Sequence, residues 1–197
     1  MKMSNKVFLS FVWALVMTLG CWAADIPPAS VHVYANGAIE LTDKGDGVTG
    51  LHPTWGSEEH RPKTLCLYKN ATGGEWQDFE FVVTAKEDVS MRLVLRGETR
   101  TVDGQKRQFM VYYDDVSIDE KPATNGDFEA GLPDKSQGTR CTDPAVVSSG
   151  KVCGAAWADS AITFPLGRHQ AGEEVKIRFR FLSGGMVDIT PATPKQL

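Results

Sequence analysis

The chain has no block of basic residues: its 21 Lys and Arg are scattered among 25 Asp and Glu, for a formal net charge of −4. Tracking nucleic-acid phosphates needs a clustered positive face, so nucleic acid is excluded as a partner. No long stretch repeats apolar residues at helical spacing, which argues against helical and α/β folds. No internal repeat or low-complexity block is present, which sets solenoids and propellers aside. Of the four cysteines, none has a second Cys two residues away or a His at zinc-finger spacing, so a structural zinc site is excluded. A Gly-x-Ser-x-Gly nucleophile elbow is also absent.

What is present begins with Lys2 and Lys6, an apolar run from Val7 to Leu19, and the small residues Ala23 and Ala24. These are the parts of a secretory signal, and the run falls short of the ~20 residues that a membrane-spanning helix needs. The expected organisation is a signal peptide over residues 1–24, one domain over 25–190 and a flexible, Pro-containing tail over 191–197. The mature chain is then secreted, periplasmic or held at the cell surface, without a membrane span, and loss of Lys2 and Lys6 moves its net charge to −6. Thr18-Leu19-Gly20-Cys21 offers the alternative of a lipid anchor on Cys21, with Thr18 where such sites usually carry Leu.

Between turn signals such as Asn36-Gly37, Asp46-Gly47 and Asp103-Gly104, β-branched and aromatic residues alternate with polar ones. Strands are expected at 31–34, 38–41, 65–69, 76–84, 89–96, 108–118, 161–166 and 175–182. Short strands with one wet and one apolar face suit an all-β fold, a two-sheet antiparallel β-sandwich. Removal of Cys21 leaves Cys66, Cys141 and Cys153. Cys141 and Cys153 bracket a turn-rich segment and form the expected disulfide, while Cys66, inside an apolar strand, reads as a small buried residue.

One phrase departs from this pattern. In Tyr113-Asp114-Asp115-Val116-Ser117-Ile118, period-two alternation puts Asp114 on the face of Val116 and Ile118. A carboxylate on a core face must be paired, hydrogen-bonded or metal-bound, and Ca²⁺, which takes several oxygen ligands, would serve. Without a metal, Asp114 caps neighbouring backbone amides while Asp127 and Glu129 stay solvated.

That phrase, together with Asn125-Gly126-Asp127-Phe128-Glu129, resembles the terminal strands of galactose-binding-domain-like jelly rolls, especially bacterial carbohydrate-binding modules. The segments containing Trp76 to Thr84 and Phe164 to Phe179 resemble the family's later and middle strands. The order is reversed, since the closing phrase precedes the opening one. Either the jelly roll is circularly permuted, with residues 119–124 joining the old ends, or a module precedes a truncated second one. The resemblance implies a structural Ca²⁺ held by Asp114 and Glu129, with Asp127 and Asp115 as weaker candidates.

It also implies a non-catalytic carbohydrate-binding or lectin-like domain whose partner is a polysaccharide or glycan. Sugar C–H faces stack on exposed rings, so Trp55, Trp157, Tyr34 and Tyr113 are the candidate aromatic contacts. The polar loop around Trp55 adds His52, Glu58 and His60 as hydroxyl partners. The alternative is a structural or adhesive sandwich that binds a cell-envelope protein. A glycoside hydrolase, whose paired carboxylates would be visible only in space, is the third reading.

Overall fold

The computed structural model describes residues 29–51, 63–70 and 74–187. The expected signal peptide, the expected tail and the loop carrying His52, Trp55, Glu58 and His60 lie outside the described residues. The strands, in chain order, are β1 (Ala29–Ala35), β2 (Ile39–Asp43), β3 (Val48–Leu51), β4 (Thr64–Lys69), β5 (Gln77–Ala85), β6 (Val89–Arg96) and β7 (Glu98–Val102). There follow β8 (Gln105–Ile118), β9 (Lys121–Pro122), β10 (Thr139–Cys141), β11 (Cys153–Ala156), β12 (Ile162–His169) and β13 (Glu174–Val187). Among the described residues no helix is long and apolar enough to cross a membrane.

One sheet runs β12-β6-β1-β4-β3; the other runs β10-β11-β8-β13-β5-β2, with β7 and β9 also paired to β8. The protein is a two-sheet antiparallel β-sandwich, compatible with a jelly roll. Strands from before and after residues 119–124 interleave: β12 lies beside β6, and β13 lies between β8 and β5. The two parts of the chain thus share one core.

Alternation decides which face each strand buries. In β5, Phe79, Phe81 and Val83 are buried while Asp78 and Glu80 point out; in β13, Ile177, Phe179 and Phe181 are buried between Lys176, Arg178 and Arg180. Phe79 stacks on Phe179 with ring centroids 5.0 Å apart, and Tyr113 meets Phe179 edge-on at 5.7 Å. The opposite sheet contributes Val31, Val33, Leu67, Leu93 and Leu95. Outside the core, Arg178 pairs with Asp78 at 3.2 Å and Lys176 with Glu80 at 3.1 Å across neighbouring strands. Such exposed pairs contribute less than about 1 kcal/mol each.

Two expectations change here. The phrase beginning at Asn125 is not a strand but a run of turns, with Asn125 at φ +57° and Phe128 at φ +58°. Phe128 is fully buried, its ring 6.2 Å from that of Phe164, and Arg140 Nε donates to its carbonyl at 2.9 Å. Left-handed backbone at a bulky residue costs roughly 1–3 kcal/mol, which burial of the ring offsets. The expected disulfide is also not formed: Cys66, Cys141 and Cys153 are free thiols. Cys141 and Cys153 are register partners across β10 and β11, and the Cys153 thiol also lies 3.5 Å from the Val146 carbonyl.

Candidate functional site

The outer face of the five-stranded sheet gathers polar residues from three adjacent strands. β1 alternates core-facing Val31 and Val33 with buried His32 and half-buried Tyr34 on the opposite face, and β6 alternates buried Met91 and Leu93 with exposed Ser90 and Arg92. Register sets Tyr34 opposite Arg92. On β12 a bulge between Pro165 and Gly167, with Gly167 at φ +92°, resets the alternation so that Arg168 lies opposite Ser90. Without that extra residue Arg168 would fall on the other face.

These side chains border two adjoining open cavities. The larger, about 560 Å³, is lined by Asn36, Asp88, Ser90, Arg168, His169 and Glu173 among others. The smaller, about 320 Å³, is lined by Tyr34, Arg92 and Met91 and shares Asn36 and Ser90 with the first. The Arg92 guanidinium lies over the Tyr34 ring, 5.0 Å from its centroid. The Tyr34 hydroxyl is 3.2 Å from His32 Nδ1, and burial keeps it above the usual phenol range, so it is protonated at neutral pH.

Much of the groove is fixed by its own hydrogen bonds. Asn36 Oδ1 accepts from the Ser90 amide at 2.7 Å, and the Asn36 amide donates to the Ser90 carbonyl at 3.2 Å. Asp88 Oδ1 accepts from the Ala171 amide at 3.1 Å, and Glu173 Oε2 from the Gln170 amide at 2.9 Å. His169 Nε2 donates to the Leu166 carbonyl at 2.9 Å, which turns Nδ1 toward Glu173 Oε2 at 3.5 Å.

The acidic phrase forms a separate centre on the other sheet. Between Asp114, opposite Arg180, and Ser117, opposite Arg178, β8 holds one residue more than β13, with Asp115 at φ +52°. This bulge breaks the period-two alternation, so Asp114 shares the outer face with Arg180 and not the core face of Val116. Asp114 is nevertheless buried. Its Oδ1 accepts from the Asp115 amide at 2.9 Å and its Oδ2 from the Ser149 amide at 3.2 Å. The Ser149 hydroxyl is 3.0 Å from Asp115 Oδ1, and Arg180 Nη1 bonds Ser148 Oγ.

Glu129 Oε1 accepts from the amides of Lys151 at 2.5 Å and Val152 at 3.0 Å, while Asp127 Oδ1 accepts from the Glu129 amide at 3.3 Å. Asp114 and Glu129 therefore hold the same segment, residues 148–152, through backbone amides. Their oxygens face N–H donors, and among the described residues no three His, Cys, Asp or Glu side chains gather to hold a metal ion. In this structure Asp114, Glu129 and Asp127 accept from backbone amides and Asp115 from the Ser149 hydroxyl.

Burial, aided by the neighbouring Asp115 charge, pushes the Asp114 carboxyl up to about 6 against the pull of its amide donors. An unfolded Asp titrates near 3.9. Between those values the folded protein keeps a proton that the unfolded chain releases, so this group's contribution to stability falls as pH rises from about 4 to about 6. Subtracting wild-type from Asp114→Asn stability, measured by denaturant unfolding, is expected to give a difference that climbs across this window and then levels. A flat difference would contradict the raised value.

Two further sequence candidates do not belong to the groove. Tyr113 is fully buried and its hydroxyl donates to the Arg96 carbonyl, so it cannot meet a ligand. Trp157 is half-buried beside Gly97, at the end of β6 away from Ser90 and Arg92, and its amide donates to Ser160 Oγ at 2.8 Å. Among the described residues, Tyr34 is the sequence candidate that the fold places in the groove. Asn36, Ser90, Arg92, Arg168 and His169 were missed because they come from the turn after β1 and from β6 and β12, far apart in the chain. The isolated Gly167 inside a strand pattern was the one local sign of the bulge that presents Arg168.

Fold and site together define a β-sandwich with a polar, ring-bearing groove on one sheet. Comparison with known protein families, curated proteins and solved structures finds no match for this chain.

Proposed function

We propose that this chain is a non-catalytic carbohydrate-binding module of the galactose-binding-like jelly-roll type, circularly permuted, that works outside the cytoplasm on a polysaccharide or glycan. The carrying observation is the Tyr34 and Arg92 pair beside a polar cavity of about 560 Å³ lined by β6, β12 and the adjoining turns. A flat ring-and-guanidinium surface suits the face of a pyranose, while Asn36, Ser90, His169 and Gln170 offer donors and acceptors for its hydroxyls. Residues on neighbouring strands hold such a surface more rigidly than loop residues do. A binding role also suits the permuted order of the phrases at Tyr113 and Asn125, because a permutation preserves a sandwich and its faces.

A glycan array with the chain from Asp25 to Leu197 tests this reading. Wild type is expected to bind one group of related glycans, and Tyr34→Ala, at a half-buried position, to weaken that binding at least tenfold while unfolding as wild type does. A blank array from folded protein would turn the reading to a cell-envelope protein as partner. Unchanged binding by Tyr34→Ala would remove this groove as the site.

A further inference from the structure

The groove contains two guanidinium groups without a carboxylate partner. Arg92 and Arg168 are exposed, and among the described residues neither makes an ion pair. On β13 of the other sheet, Arg178 pairs with Asp78 and Arg180 lies 3.9 Å from Asp115. The carboxylates lining the cavity are turned elsewhere, Asp88 to the Ala171 amide and Glu173 to the Gln170 amide and His169. The groove therefore holds two unpaired positive charges on a protein whose overall charge is negative.

Register gives their spacing. Arg168 is opposite Ser90, and Arg92 follows two residues along β6 on the same face. Diagonal neighbours of this kind have Cα atoms roughly 7–8 Å apart, and with Arg92 held over Tyr34 on the β1 side and Arg168 on β12, the pair suits two carboxylates on successive sugar units. Guanidinium binds carboxylate through two parallel N–H···O bonds and is weakly hydrated, which suits this task better than a lysine ammonium would.

We propose that the groove recognises an acidic glycan, a polymer containing uronic acid, with its carboxylates on Arg92 and Arg168 and a sugar face against Tyr34. This rests on the glycan-binding reading and names its ligand class.

The test is titration of the protein with polygalacturonate, alginate and hyaluronan, each beside its methyl ester, with polyaspartate and a neutral glucan as controls at physiological salt. One free acid is expected to bind at least tenfold more tightly than its ester. Arg168→Gln is expected to remove most of that preference while leaving ester binding within about twofold, whereas Arg92→Gln, which also alters the surface shared with Tyr34, is expected to remove the preference and to weaken ester binding as well. Tyr34→Ala is expected to weaken acid and ester alike. Equal affinity for acid and ester, or preference for the neutral glucan, would overturn the acidic-ligand inference and leave the glycan reading standing. Polyaspartate binding as tight as the best uronate would also overturn it, since charge alone would then explain the signal. Failure of every sugar to bind folded protein would overturn both.

Discussion

Phe179→Ala is expected to lower stability by about 3–5 kcal/mol, the range for removing a fully buried aromatic ring. Phe179 is at the centre of β13, which lies between β5 and β8, and is fully buried. It stacks on Phe79 and meets Tyr113 edge-on. The substitution removes apolar burial and both ring contacts, and it leaves a cavity that two hydrogen-bonded strands cannot collapse to fill. Urea unfolding would show the loss as a lower midpoint at nearly constant slope. Met186→Ala, at a residue 48% exposed, is the control and should stay within about 0.5 kcal/mol. A loss below about 1 kcal/mol at Phe179 would mean that the ring is not core, as a one-residue register slip in β13 would produce.

Gly126→Ala is expected to cost about 3 kcal/mol, at the upper end of overpacking effects. The Gly126 amide donates to the Ala123 carbonyl at 2.8 Å, and its carbonyl accepts from the Val116 amide at 3.1 Å. A Cβ at this position would sit inside contact distance of the Val116 carbonyl oxygen and 3.0 Å from that of Ala123. Backbone atoms cannot swing aside as a flexible side chain can, so the turn after β9 must open. That turn leads directly to Phe128 and to Glu129, which holds residues 151 and 152. Faster amide exchange at Lys151 and Val152 should accompany the loss; wild-type stability and exchange in Gly126→Ala would show that the approach is not close.

Alternation made the sandwich legible. Every expected strand is present, and β6 has the expected bounds of residues 89–96. The strands that escaped notice lack that signal: β7 reads Glu-Thr-Arg-Thr-Val, and β11 consists of Cys, Gly and Ala, too small to mark an apolar face. Bulges were the deeper obstacle. A period-two reading carries Asp114 to the core, whereas the extra residue at Asp115 returns it to the outer face, where Ser149 covers it. The same effect hid Arg168 behind Gly167. Among the described residues the groove was legible only at Tyr34, because which outward residues become neighbours depends on sheet order, and β1, β6 and β12 are joined by register, not by sequence.

The acidic phrase shows how one chemical requirement can be met in more than one way. A buried carboxylate needs partners, and here they are the amides of Asp115 and Ser149. Asp114 and Glu129 thereby order residues 148–152, on the sheet opposite the groove. The proposed ligand groove and the loop anchoring thus occupy different sheets of the sandwich, so variants in one should leave the other intact.

The central claim is that glycan binds across β1, β6 and β12, and amide chemical-shift mapping of the isotope-labelled protein during titration with the best array glycan tests it most directly. Shifts concentrated at Tyr34, Asn36, Ser90, Arg92, Arg168 and His169 are the expected result. Shifts centred on residues 52–62 or on the Asp114 segment, with those six unmoved, would contradict it.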